Sequence, residues 1–282
     1  MPRRAFAAVA VLAFLAACGN PAASPTPPSS TTTTASSSSA ANAITPTLSQ
    51  NAAPTTTSSS SNAPAVPSGK VVVLDPGHNG GNSSHAAEIN KMVPAGRGQT
   101  KPCNTTGTST NAGYTEHEFT WDVATRVRSA LTAKGVKVVM TRDNDTGVGP
   151  CVDQRAAAGN QAAASAVVSI HADGSTSPGA HGFHVAYSAP PLNPAQGAPS
   201  TKLTQDLRDA LKTAGFATSN YIGKDGLSPR ADLAGLNLSE RPAALVECGN
   251  MRNADEAAVL SSADGRQRYA DAIVKAILAF LA

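Results

Sequence analysis

The chain has 282 residues, of which 41% are hydrophobic, 15% charged and 4% aromatic, with a formal net charge of +3. Residues 19–69 contain no Lys, Arg, Asp, Glu or His, so the averages mix a neutral polar tract with an ordinary globular segment, and a single folded unit spanning the whole chain is excluded. Without Arg3 and Arg4 the balance is 20 basic to 19 acidic residues, and no basic run remains to track a nucleic-acid backbone.

Arg3 and Arg4 precede an apolar run over 5–17. That run is too short for a bilayer span, which needs about 20 residues, and has the proportions of a signal-peptide core. It ends in Leu15-Ala16-Ala17-Cys18, which resembles a bacterial lipobox. Residues 1–18 are therefore read as a signal peptide with lipobox, and a lipidated Cys18 predicts membrane attachment. Ordinary cleavage at a small-residue site, with Cys18 incidental, is the alternative. Residues 19–69, rich in Ser, Thr, Pro and Ala, are read as a disordered linker, because so little apolar surface cannot offset the entropy of ordering. Such a linker gives a membrane anchor reach, or simply separates two parts.

Residues 70–282 form the folded part, large enough for one sizeable core. Apolar runs of strand length lie at 71–74, 136–140, 166–170, 183–187 and 243–246. Helical stripes alternate with them: Phe119, Val123, Val127 and Leu131; Leu203, Leu207 and Leu211; Tyr269, Ile273, Ile277 and Leu281. This alternation predicts a single α/β domain, hydrolase- or phosphorylase-like, with a mostly parallel twisted sheet and helices on both faces. Ligands of such sheets gather beyond the carboxyl ends of the strands.

Chemistry-bearing residues cluster at those ends. The first strand runs into Asp75-Pro76-Gly77-His78, the third into Ser169-Ile170-His171-Ala172-Asp173, and the last reads Leu245-Val246-Glu247-Cys248. Glu116 opens the first long helix, where the helix dipole also favours a carboxylate. Two histidines and one carboxylate from separate elements match the donor set of catalytic zinc hydrolases, and a second carboxylate would serve as general base and acid. No HExxH helix is present, which argues against the common zinc-peptidase arrangement.

DPGHNGG, the helix-opening Glu, TRDND, SIHAD and LVECGNMRN together resemble the zinc-dependent N-acetylmuramoyl-L-alanine amidases, from about Val71 to the C-terminus. The layout is most similar to secreted mycobacterial and related actinobacterial members. The resemblance implies that His78, Glu116 and His171 bind Zn2+ and that Glu247 is catalytic. It also implies a substrate in peptidoglycan or muramyl peptides, cut between N-acetylmuramic acid and L-Ala during wall remodelling, cell separation or recycling. Two positions depart from the pattern: His117 replaces a Lys and stands as a rival ligand beside Glu116, and Asp173 replaces an Asn. A non-catalytic wall-binding lipoprotein and another zinc hydrolase of wall material are the competing readings.

The other candidates read as structural. Arg142, Asp145, Arg155 and Asp75 are expected in ion pairs, and Asn253 to fix the loop after the last strand. His85 and His117 are expected at the surface. His181 and His184 flank a strand and are candidates for substrate contact or for supporting the site. Cys103 and Cys151, both in loops, are expected to form a disulfide, a zinc role being disfavoured by the absence of CxxC spacing. Cys248 is expected in the core. The long loop over 79–115 is expected to border the substrate cleft, and 223–241 to carry no inhibitory helix. The sequence thus predicts an exported protein of the periplasmic or cell-wall space, anchored to the outer face of the plasma membrane, with a monomeric catalytic domain and no nucleic-acid partner.

Overall fold

The computed structural model describes residues 69–282. The expected signal segment, Cys18 and linker positions up to 68 lie outside the described residues. In chain order the elements are β1 (Val71–Pro76), α1 (Ala86–Ile89), β2 (Met92–Gly96), β3 (Gln99–Pro102), α2 (Glu116–Thr132), β4 (Lys137–Met140), α3 (Val152–Gln161), β5 (Ala166–Asp173), β6 (His184–Ser188), α4 (Ala198–Thr213), β7 (Leu227–Arg230), α5 (Ala234–Asn237), β8 (Ala243–Asn250), α6 (Ala254–Ser261) and α7 (Ala263–Leu281).

Six strands form one sheet in the order β4-β1-β5-β8-β6-β7. β4, β1, β5 and β8 are mutually parallel, while β6 pairs antiparallel with β8 and parallel with β7. The mostly parallel sheet is therefore as expected, with one reversal that brings the start of β6 to the same rim as the ends of β1, β5 and β8.

Alternation along the strands decides which face does what. Val72 and Leu74, Val168 and Ile170, and Val246 and Cys248 point to one face, where α2, α4 and α7 cover them in the main core. Phe119, Val123, Val127 and Leu131 of α2 are fully buried there, as their four-residue spacing requires. Val73, Val167, Leu245 and Ala186 point the other way, into a smaller cluster with Leu236. α3 and the single turn of α5 are the helices on that face, and β2 packs against both. The chemistry-bearing residues Asp75, Ser169, His171, Asp173 and Glu247 alternate with the main-core residues and so share this thinly covered face.

The loop over 79–115 holds more structure than expected: the 3-10 turn Gly80–Ser84, α1 and the β2–β3 hairpin. The hairpin is followed at once by Cys103, bonded to Cys151 at the N-cap of α3. The segment 223–241, expected to carry no inhibitory helix, contains β7 and the four-residue α5. Their hydrophobic signal is weak because Pro229, Gly235 and short length interrupt it.

Candidate active site

β1 ends at Pro76, and the chain turns so that His78 adopts φ +58°. A non-glycine residue rarely takes this left-handed conformation, and it costs about 1 kcal/mol or more, so the surrounding bonds must hold it. Arg155 does so from α3: its guanidinium pairs with Asp75 at 2.7 Å and donates to the carbonyls of Pro76 and His78, each at 2.7 Å. Burial pushes the Asp75 carboxyl up, but the Arg155 charge and the hydrogen bonds from Thr141, Ser169 and Arg155 outweigh it and hold the pKa at about 2.

α2 delivers Glu116 from the opposite side. Two acidic residues compete at this helix start, and capping separates them. Glu118 accepts the Thr115 backbone N–H at 3.1 Å and closes a capping box. Glu116 turns inward, where it is 4% exposed. Its Oε1 accepts from His171 Nδ1 at 2.9 Å and from the Ala172 N–H at 3.2 Å. Its Oε2 lies 3.1 Å from His78 Nε2 and accepts the Thr108 N–H at 2.9 Å. Burial raises the Glu116 pKa, but the His78 charge and the histidine hydrogen bonds overcome this and hold the carboxyl well below its usual range. Burial likewise lowers the His78 pKa, and the Glu116 carboxylate more than offsets it, leaving the imidazole raised.

One ligand atom from each of His78, Glu116 and His171 lies within 4.8 Å of the other two. His78 Nδ1 stands 3.1 Å from the Thr105 carbonyl, which only accepts, so Nδ1 carries a proton and Nε2 is the nitrogen aimed at Glu116. Two imidazoles and a carboxylate facing one another from three elements are a donor set that suits a zinc-type dication.

Two glycines make this convergence sterically possible. A Cβ on Gly77 would lie 2.3 Å from the His171 ring, and one on Gly107 would lie 2.8 Å from His78 and 2.9 Å from Glu116. Gly107 also has φ +79°, a conformation that favours glycine.

Glu247 lies beside His171 in the β5–β8 register. Its Oε2 is buried and has no hydrogen-bond partner. Burial pushes the Glu247 carboxyl well above the usual range, and the charges of Glu116 and Asp173 add to the shift. A buried carboxyl with raised proton affinity and an uncommitted oxygen, beside a cation-binding cluster, has the properties of a general base and acid.

The remaining candidates separate cleanly. His117, expected at the surface, is instead half-buried and bonded through Nδ1 to Asp145 at 2.7 Å; this partner turns it away from the cluster, so it is not the rival ligand its position suggested. Asp145 also pairs with Arg142 at 2.8 Å. His85 is exposed, and His181 bonds the Gly179 carbonyl outside the cavity. Asn253 caps α6, accepting from the N–H groups of Asp255 and Glu256. Cys248 is buried in the main core. Asp173 accepts the Tyr221 hydroxyl at 3.0 Å. His184 is 2% exposed and sits directly opposite Glu247 in the β6–β8 register, its ring edge-on to Tyr221.

The cluster opens into a cavity of about 490 Å³ between the sheet, α3 and α5. The segment 104–108 of the long loop lines its mouth, as expected of that loop. Lys101, within the same loop but not singled out from sequence, and the 233–236 segment, which sequence reasoning missed, also line it. They sit in short, polar or glycine-interrupted stretches with no periodic signal.

Comparison with known proteins gives a consistent picture. The Amidase_3 family model, described as N-acetylmuramoyl-L-alanine amidase, matches residues 72–279. An N-acetylmuramoyl-L-alanine amidase of Mycobacterium tuberculosis is 52% identical over 219 residues, 78% of this chain and 89% of that protein. The crystal structure of the N-acetylmuramyl-L-alanine amidase Ami1 of Mycobacterium smegmatis superposes with a TM-score of 0.73 at 54% identity, covering 76% of this chain and 97% of that one. The Ami1 structure of Mycobacterium abscessus gives the same TM-score at 51% identity, over 76% of this chain and 100% of that one.

Proposed function

The chain belongs to the N-acetylmuramoyl-L-alanine amidase family, and on that premise we propose that it is a zinc-dependent hydrolase of the amide between N-acetylmuramic acid and L-Ala in peptidoglycan or muramyl peptides. The observation that carries this reading is the convergence of His78, Glu116 and His171 beside the unpartnered oxygen of Glu247. In the proposal those three residues hold the zinc. Once bound, such an ion polarises a carbonyl and makes water more acidic.

The chain's own residues then supply positioning and proton transfer. Glu247 accepts a proton from the attacking water as the oxygen bonds to the lactyl carbonyl carbon. The same carboxyl returns the proton to the amide nitrogen as the C–N bond breaks. The products are a muramic acid carboxylate and a peptide with a free L-Ala amine. The Thr105 carbonyl, through His78 Nδ1, keeps that ring in one orientation throughout. Arg155 and the two close-packed glycines keep the loop backbone where both histidines reach Glu116.

The N-terminal sequence supports export and lipid anchoring through Cys18, with a monomeric catalytic domain at the end of a leash over 19–69. Acyl modification of wild-type protein that Cys18→Ser abolishes is the expected mass shift; secretion of unlipidated wild type would remove the anchor from the proposal.

The central test uses a muramyl peptide. Metal-loaded protein should release a peptide with a free L-Ala terminus, and a chelator should stop it. Glu247→Gln should lower kcat by at least about 100-fold, the scale of a lost general base, with zinc still bound by elemental analysis. Full turnover by Glu247→Gln would overturn its assignment.

A further inference from the structure

Two chemically different hollows meet at the 106–108 turn beside the cluster. One is the 490 Å³ cavity, which has an aliphatic wall of Val152, Ala156, Val167, Leu236, Ala243 and Leu245 and polar groups such as Asn104, Thr105, Thr108 and Ser169 elsewhere in its lining. The other is a hollow of about 310 Å³ across the 106–108 turn, lined by Ser83, Thr106, Ser109, Thr115 and Arg252 among others. The substrate of the proposed reaction is branched, with a sugar chain on one side of the scissile amide and a peptide on the other.

Physical chemistry distributes the two arms. A glycan presents hydroxyl and acetamido groups over its whole surface, and each one buried without a partner costs free energy. The aliphatic wall of the cavity offers few such partners, whereas the hollow is lined almost wholly by polar groups and glycine. A glycan also continues in two directions from the muramic acid, so it suits an open surface. The peptide is a side branch, and it begins with an alanine methyl group that aliphatic walls accommodate.

The cavity also contains a cation on its rim of polar groups. Lys101 on β3 lines it; among the described residues its ammonium forms no salt bridge, and the one neighbouring carboxylate that feels its charge, Asp232, is paired with Arg230 at 2.6 Å. Arg155, the other cation of the lining, is already paired with Asp75. Lys101 Nζ donates to the Asp232 carbonyl at 3.1 Å, which fixes its direction and leaves further donors for a ligand. The hairpin that carries it is tied at both ends. Cys103 bonds to Cys151, and Arg97 donates to Asn237 at 3.2 Å and Ser188 at 3.0 Å.

We propose that the stem peptide lies in the cavity between α3, α5 and the sheet, with one of its carboxylates on Lys101, while the glycan lies on the 106–108 side. Lys101 is then a specificity-determining residue that favours acidic over amidated stem peptides. This rests on the amidase reading and extends it to the choice of substrate.

The test compares two muramyl tripeptides that differ only in whether the side-branch carboxyls are free or amidated. Wild type should show kcat/KM at least about tenfold higher for the acidic form, the scale of one charge-assisted hydrogen bond. Lys101→Met should bring the two substrates within twofold of each other. Gly235→Phe supplies a second readout, because a Cβ at Gly235 meets nothing within 4 Å and the residue lines the cavity. That variant should penalise a muramyl pentapeptide at least tenfold more than a muramyl dipeptide. Retention of the acid preference by folded Lys101→Met, or equal use of both forms by wild type, overturns the proposal.

Calorimetry with free acidic and amidated stem peptides separates the two levels. Discriminating binding without turnover overturns the amidase reading alone, and turnover without discrimination overturns this one alone.

Discussion

Arg155 reaches across 77 residues of sequence to donate, at 2.7 Å, to the backbone carbonyl of His78. The same guanidinium is 2.7 Å from Asp75. A residue that touches no metal donor atom thus fixes the strained backbone from which one of the candidate ligands projects.

Arg155→Met is therefore predicted to destabilise the domain by about 3–5 kcal/mol, the usual loss when one partner of a buried ion pair is removed. Zinc affinity should fall with it. Because the folded Asp75 pKa is lowered from 3.8 to about 2, its contribution is complete above 3.8 and lost as pH falls through about 2. Urea denaturation at pH 7 and pH 2.5 measures both. A variant as stable as wild type at pH 7 would refute the structural role given to this pair.

Gly107→Ala adds one methyl group against His78 and Glu116, at 2.8 and 2.9 Å, in a left-handed backbone position. We predict a 10- to 100-fold loss of zinc affinity, of the order seen when support around metal ligands is disturbed. The fold should persist, with a stability cost of about 1 kcal/mol. Competition with a chromogenic chelator reads the affinity, and an unaltered midpoint would mean that the site has slack where the geometry shows none.

His184 supplies a pH signature. Burial lowers its pKa to about 4, against a smaller opposing effect of Asp173. A histidine with a depressed folded pKa loses stability as pH falls from 6.5, where the unfolded chain begins to take the proton, down to about 4, where the folded chain does too. The loss amounts to about 3 kcal/mol. His184→Phe removes the titration, so its stability relative to wild type should rise by that order between pH 6.5 and 4. A pH-independent difference between the two proteins would contradict it.

Cys103 and Cys151 are 48 residues apart, and their bond links the end of the hairpin to the start of α3. Loop-closure entropy alone assigns it about 4 kcal/mol. Cys103→Ser with Cys151→Ser should lower the melting temperature and raise KM more than it lowers kcat, because the hairpin and the 104–108 segment line the cavity rather than supply its donors. An equal fall in kcat at unchanged KM would place the disulfide's influence on the chemistry instead.

Much of the fold was legible along the chain. The apolar runs of β1, β5 and β8 and the four-residue stripes of α2, α4 and α7 carry strong local patterning, and each appears where its pattern places it. The short elements carry no comparable signal. β7 contains Pro229, α5 is four residues long, and β2 and β3 are mostly exposed or half-buried, so pairing with distant partners decides them rather than composition.

The sequence by itself determined which residue types stand at the ends of buried strands, that a charge-free tract separates the N-terminus from the folded domain, and which family the motifs resemble. These are properties of order and spacing, and short-range patterning is enough to express them. Only the tertiary structure decided that Glu116 faces both histidines while Glu118 caps the helix, and that His117 is drawn to Asp145. It also decided that the reversed β6 sets His184 opposite Glu247 and that the hairpin brings Lys101 to the cavity. Each of these depends on contacts between residues far apart in the chain, where burial, charge pairing and sheet register act together and no local pattern records the outcome.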